Sequence, residues 1–273
     1  MIIDGKKIAS DIEAQVLRAL TMHTEPPTLA IIVAGENPVT ANFVRMKKTV
    51  AGRLNIPVIE HVFREEADTE ILIERINTLN SDVRVKGIIV QLPLPSHVDT
   101  QKVLNSISLT KDVDVLSVEA MAAFRRGESR VLPPVAGAVQ EILERANAQV
   151  AGHEALVLGN GRLVGQPVAL LLRHLGARVT VIDQPISDLK EYTRESALIV
   201  SGVGQPGLIT NTMLAHGTML IDAGTSEVAG KLCGDIDASC VEGAALFTPV
   251  PGGVGPITIA MIFKNLCMLN RHP

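Results

Sequence analysis

No run of apolar residues in this chain approaches the ~20 that a membrane span needs, and no long run of like charge marks a nucleic-acid or membrane-binding arm. The net charge is −4 over 273 residues, which argues against nucleic acid or an anionic membrane as the main partner. Cysteine is scarce: Cys233, Cys240 and Cys267 are the three. They have neither CxxC spacing nor an accompanying histidine cluster, and three cannot all pair within one chain. They read as free thiols rather than as a disulfide framework or a metal centre. Met1–Lys6 lacks the charged-then-apolar pattern of a secretory signal. There is no repeat at solenoid periods and no low-complexity linker. What is present is an ordinary globular composition, 47% hydrophobic and 20% charged, with length for one large or two small domains. A cytoplasmic enzyme or binding protein is the expectation.

Hydrophobic spacing supplies the elements. Ile8, Ile12, Val16, Leu17 and Leu20 share one helical face, and Pro26-Pro27 ends that helix. Leu29–Val33 is wholly apolar, the mark of a strand buried on both faces. A helix over about 39–54, a strand at Val58–Phe63, a helix over 70–79 and a strand at Gly87–Val90 follow. This alternation predicts a parallel sheet with right-handed crossovers. Strand signals lapse from Ser96 to Pro134, and a helix over 135–146 leads into a second alternation. There, strands at 154–158, 178–182, 198–200 and 219–221 are expected, with a last helix from about Gly255. The fold class is α/β, with two units.

One turn in the second alternation carries chemistry. Gly159-Asn160-Gly161-Arg162-Leu163-Val164-Gly165 follows a buried strand and opens a helix. The first glycine permits a tight turn, the second lets backbone approach a pyrophosphate, and the third lets the helix pack on the sheet. The helix N-terminus then offers free N–H groups to phosphates. Asp183 follows the next strand, where an acid accepts bonds from an adenosine ribose and repels a 2′-phosphate. This favours NAD over NADP as cofactor. The alternatives are a close-packed turn that binds nothing and a solvated loop aspartate.

Further motifs surround this turn: Ile3-Asp4-Gly5-Lys6, Phe43-Val44-Arg45-Met46-Lys47, Gln91-Leu92-Pro93-Leu94-Pro95, Lys111-Asp112-Val113-Asp114, and Pro249-Val250-Pro251-Gly252-Gly253-Val254-Gly255-Pro256-Ile257-Thr258. In this order the chain resembles the methylenetetrahydrofolate dehydrogenase/methenyltetrahydrofolate cyclohydrolase family, from residue 3 to the last helix. The resemblance implies two lobes: an N-terminal α/β folate domain, 1–134 with 255–273, and a Rossmann-like dinucleotide-binding domain, 135–254, with folate in the cleft between them. It implies oxidation of 5,10-methylenetetrahydrofolate and hydrolysis of the methenyl product to 10-formyltetrahydrofolate. It further implies a homodimer whose partners are small folates rather than nucleic acid or membrane.

On this resemblance Lys47 is the catalytic lysine, Gln91 the glutamine beside it, and Asp114 the carboxylate that holds the pterin. Phe43, Pro251, Gly252, Gly253, Gly255 and Pro256 line the substrate, and Gly159, Asn160, Gly161, Arg162, Gly165 and Asp183 hold the cofactor. A lysine serves as a base near neutral pH only if burial or a nearby cation lowers its pKa. On residues alone, Lys47-Lys48 also fits a solvated helix face, Gln91 a structural cap, and the Pro-Gly loop a plain turn. Asp112 reads as a structural loop residue.

The chain departs from the family at several of these places. Phe43 stands for the usual tyrosine, which bears on the cyclohydrolase step more than on hydride transfer. Val115 replaces a glycine after the KDVD stretch, and Leu132-Pro133-Pro134-Val135-Ala136-Gly137 replaces the usual PCTPxG. Asn160-Gly161 replaces Arg-Ser, and Asp183-Gln184 replaces His-Ser, both changes removing polar groups suited to a 2′-phosphate. Changed specificity is one reading. A degenerate member that binds without full activity is another, and a dehydrogenase of a different small substrate is a third.

Overall fold

The structure, a computed structural model, describes residues 1–21, 25–35, 38–184, 186–228 and 230–270. In chain order the elements are α1 Gly5–Leu20, β1 Thr28–Ala34, α2 Pro38–Arg53, β2 Val58–Phe63, α3 Thr69–Ser81, β3 Val85–Val90, α4 Thr100–Asn105, α5 Val118–Arg125, α6 Pro134–Arg145 and β4 Glu154–Leu158. They continue with α7 Gly165–His174, β5 Arg178–Ile182, α8 Leu189–Glu195, β6 Leu198–Ser201, β7 Met219–Asp222, β8 Ser226–Val228, β9 Lys231–Cys233, β10 Leu246–Phe247 and α9 Val254–Leu269. The chain forms two compact units, Met1–Ser10 with Val135–Thr258, and Asp11–Pro134 with Ile259–Pro273. Among the described residues, no helix is long and apolar enough to cross a membrane.

The unit of Asp11–Pro134 is built on a parallel sheet of order β2-β1-β3. Every residue of β1 is buried, as its unbroken apolar run requires of a central strand. Its side chains alternate between two cores. Leu29, Ile31 and Val33 pack with Val16 of α1, Val44 and Val50 of α2, and Ile262, Phe263 and Leu266 of α9. Ala30, Ile32 and Ala34 pack instead with Leu72 and Ile76 of α3 and Val103 and Leu104 of α4. The carboxylate of Asp68 accepts the Ile71 N–H at 2.9 Å and starts α3. The Lys111 ammonium ends it, donating to the carbonyls of Leu79, Asn80 and Asp82.

The unit of Val135–Thr258 is built on a parallel sheet of order β10-β7-β6-β4-β5. The chain leaves β4 for β5 on one side and returns to β6 on the other, so the order reverses between β4 and β6. In open α/β sheets the carboxyl ends at such a reversal form the ligand crevice. The β8–β9 hairpin is antiparallel and stands apart from this sheet. Residues 1–10 belong here rather than with residues 11–134, the grouping that the resemblance implies. Ile2 bridges Phe247, the Ile3 N–H donates to the Phe247 carbonyl at 2.9 Å, and the amino terminus donates to the Ala245 carbonyl. A single bridge has no periodicity to read.

Candidate active site

Three of the expected catalytic residues lie in the unit of Asp11–Pro134. Lys47 is on α2, one turn after Phe43, on a stretch whose neighbouring Val44 and Val50 enter the core. It is 8% exposed, and its Nζ donates to Gln91 Oε1 at 2.7 Å. Gln91 follows the C-terminal end of β3 and is 7% exposed. Its amide is oriented by donating from Nε2 to the Leu92 carbonyl at 2.9 Å, which turns its oxygen to the lysine. Burial lowers the Lys47 pKa, and the nearby Asp114 carboxylate opposes that shift. Lys47 is therefore not a solvated surface lysine, and its neutral form is reached at lower pH than usual.

Asp114 keeps a small solvent-facing edge, but protein crowds its carboxyl. That desolvation raises its pKa to about 6, with the Lys47 charge pulling down and the Asp112 charge pushing up. The Asp112 carboxylate accepts the N–H groups of Leu116 at 3.2 Å and Ser117 at 2.9 Å. This grip holds the intervening Val115 at φ +57°, a left-handed conformation where the family's glycine would sit without strain. Phe43 is partly buried on the α2 face that carries Lys47.

Asn265 had no motif to announce it. It is 1% exposed on α9, and its Nδ2 donates to the carbonyls of Val113 at 2.9 Å and Leu132 at 2.7 Å. One side chain thus ties the residue before Asp114 to the residue before Pro133. A polar residue at a core-facing position of a mostly apolar helix was the signal available.

The dinucleotide turn lies in the other unit, at the end of β4. Gly159 has φ +90° and donates its N–H to the Ile182 carbonyl at 2.8 Å. A methyl on Gly165 would sit 2.0 Å from the Gly159 carbonyl oxygen, so only glycine lets α7 approach the turn. A methyl on Gly161 would meet nothing within 4 Å, which leaves the backbone open to a ligand. Arg162 is exposed beside it. Asp183 Oδ1 accepts the Asn160 N–H at 2.8 Å, across the turn from the end of β5. The open backbone and close-packed helix start fit a dinucleotide-binding turn.

The Pro251–Pro256 loop precedes and opens α9. Gly252 has φ +106°. A methyl on Gly253 would lie 2.6 Å from the Pro249 carbonyl oxygen, and one on Gly5 would lie 1.9 Å from the Gly253 oxygen. These glycines are demanded by the loop's own packing. Gly255 has open space, and Pro251 is exposed. Among the described residues, no group of three or more His, Cys, Asp or Glu could hold a metal.

Residues 3–114 match the family model for the catalytic domain of tetrahydrofolate dehydrogenase/cyclohydrolase, and residues 133–272 match the model for its NAD(P)-binding domain. The bifunctional protein FolD of Dechloromonas aromatica is 41% identical over 272 residues, covering 97% of this chain and 95% of that one. The crystal structure of the bifunctional methylenetetrahydrofolate dehydrogenase/cyclohydrolase FolD from Campylobacter jejuni superposes with a TM-score of 0.95 at 33% identity, covering 98% of each chain. The Trypanosoma brucei enzyme, solved with NADP and an inhibitor, gives 0.93 at 32%, covering 98% of this chain and 96% of that one.

Proposed function

This chain belongs to the tetrahydrofolate dehydrogenase/cyclohydrolase family, and from that membership we propose that it oxidises 5,10-methylenetetrahydrofolate with a nicotinamide dinucleotide and hydrolyses the methenyl product to 10-formyltetrahydrofolate. The observation that carries this reading is the buried Lys47–Gln91 pair. A lysine of lowered pKa held by a glutamine supports the reading of Lys47 as the catalytic lysine that the resemblance implies.

The two steps ask different things of the protein. Oxidation moves a hydride from the methylene carbon to the nicotinamide ring and leaves a methenyl cation, so no proton need move. The protein binds both molecules and orients them. Hydration does need proton transfer. Neutral Lys47 takes a proton from the attacking water, and its ammonium returns one to the ring nitrogen that leaves as the C–N bond breaks. The remaining hydroxyl proton passes to solvent as the formyl C=O forms. Gln91, held by Leu92, fixes where the Lys47 nitrogen lies. Above about pH 6 Asp114 is ionised and accepts two N–H bonds from the amino-pyrimidine edge of the pterin. Phe43 offers its ring face to the same substrate.

The dinucleotide preference in this reading is NAD. Asp183 places a carboxylate beside the turn where a 2′-phosphate would be repelled. The unit of Val135–Thr258 with Met1–Ser10 would carry the dinucleotide chemistry, and the unit of Asp11–Pro134 with Ile259–Pro273 the folate. The assembly in the same reading is a homodimer acting in the cytoplasm, and sedimentation at micromolar concentration tests the dimer. The function itself is tested by turnover of methylenetetrahydrofolate with each dinucleotide, followed by hydration of methenyltetrahydrofolate. Turnover faster with NAD, with hydration above the buffer rate, is expected. No turnover with either dinucleotide would overturn the reading. Asp183→Ser is expected to shift the kcat/KM ratio toward NADP, and an unchanged ratio would remove Asp183 from the ribose site.

A further inference from the structure

A second set of buried acids lies in the unit of Val135–Thr258, at the carboxyl ends of β6 and β7. Asp235 is 0% exposed. Its Oδ2 accepts the Ser201 hydroxyl at 2.7 Å and the Val203 N–H at 2.9 Å, and its Oδ1 accepts the Gln205 N–H at 2.7 Å. The three donors flank or lie within one loop, 202–205, that leaves β6. Asp222, at the end of β7, holds the segment that presents Asp235. Its carboxylate accepts the N–H groups of Gly224 at 2.9 Å, Asp235 at 3.2 Å and Ile236 at 2.8 Å. Each acid is roofed by a glycine. A methyl on Gly224 would lie 2.2 Å from the Asp235 carboxyl carbon, and one on Gly234 would lie 2.1 Å from Asp222 Oδ2.

The gripped loop is one wall of the crevice where the strand order reverses. A methyl on Gly202 would lie 2.4 Å from Val164 Cγ1, at the start of α7. A methyl on Gly159 would lie 3.0 Å from Val203 Cγ1. The loop after β6 and the dinucleotide turn after β4 are therefore in direct contact, and a shift in one displaces the other. Burying a carboxylate is costly unless donors replace its water. Asp235 spends its hydrogen bonds almost wholly on this one loop, where an apolar residue would suffice for packing alone.

We propose that Asp235, supported by Asp222, is a positioning residue of the dinucleotide site, fixing the Gly202–Gln205 loop as the wall opposite Gly159. This rests on the dinucleotide reading above. Asp235 does not meet the dinucleotide itself, and its effect passes through the Val203 and Gln205 backbone. Asp235→Asn keeps shape and volume but turns an amide N–H toward backbone donors, which pushes the loop out of place.

The test uses the whole chain. Affinity for NADH and NADPH is read by fluorescence titration without folate, beside hydration of methenyltetrahydrofolate, which consumes no dinucleotide. Asp235→Asn is expected to weaken dinucleotide binding by about tenfold and to raise the dinucleotide KM in oxidation, with hydration changing by less than about twofold. Unchanged dinucleotide affinity, or equal losses in both readouts, overturns the proposal. Should Asp235→Asn fail to fold, Ser201→Ala decides, since it removes one donor without adding a repelling group. A weakening of about threefold is expected there, and none overturns the proposal. Wild-type protein that binds neither dinucleotide would instead contradict the functional reading itself.

Discussion

At position 43 a phenyl ring stands one helical turn before Lys47, where the family usually has a phenol. The ring keeps its stacking surface but has no hydroxyl to order water near the lysine. Phe43→Tyr is expected to raise methenyltetrahydrofolate hydration by about three- to tenfold, with oxidation changed less. Parallel assays of the two steps check this, and an unchanged ratio would separate residue 43 from the water. Val115 gives a second test. Glycine normally destabilises relative to alanine, but at φ +57° the order should reverse. Val115→Gly should unfold at higher urea than Val115→Ala, by about 0.5–1 kcal/mol, although both lose a buried side chain. The KDVD motif was legible in the sequence. So was the separation of Asp112, a loop residue whose carboxylate holds backbone N–H groups, from Asp114. The part of Lys111, whose ammonium caps α3, was not, because only three-dimensional neighbours reveal it.

Among the elements, those with strong burial were the legible ones. The β1 and β4 runs are apolar because they are central strands, and the last helix is apolar because it packs through a core. The β8–β9 hairpin and β10 went unread because two or three residues, mostly exposed in the hairpin, carry no periodicity. The dinucleotide turn separates two meanings of glycine. Gly165→Ala forces a methyl to 2.0 Å from backbone oxygen, so it is expected to lower unfolding free energy by more than about 2 kcal/mol. Gly161→Ala meets open space and is expected to fold like wild type while weakening dinucleotide binding by about tenfold or more. Urea unfolding beside NADH titration checks the pair. Equal stability losses would deny that Gly161 is kept open for a ligand.

For the molecule as a whole, the two-unit plan was readable from the repeated strand–helix alternation. Its edges were not, since residues 1–10 join the later sheet through backbone bonds that any sequence could make. Whole-chain stability also carries a mark of the site. Burial raises both Asp114 and Asp222 from 3.8 to about 6. Between those values each acid binds more protons folded than unfolded, so its contribution to stability falls as pH rises from about 4 to about 6 and stays lost above. Asp114→Asn should therefore lose less stability than wild type across that window, by about 1–3 kcal/mol. Parallel pH–unfolding curves for the two proteins would place Asp114 near its ordinary value.

The most direct test of the central claim is one time course with Lys47→Met, methylenetetrahydrofolate and NAD, following reduced dinucleotide and methenyltetrahydrofolate together. Because hydride transfer needs no base and hydration does, the variant should release both in equal amounts and let the methenyl species accumulate, while wild type removes it. Methenyltetrahydrofolate disappearing at the wild-type rate in Lys47→Met would contradict the role assigned to the buried lysine.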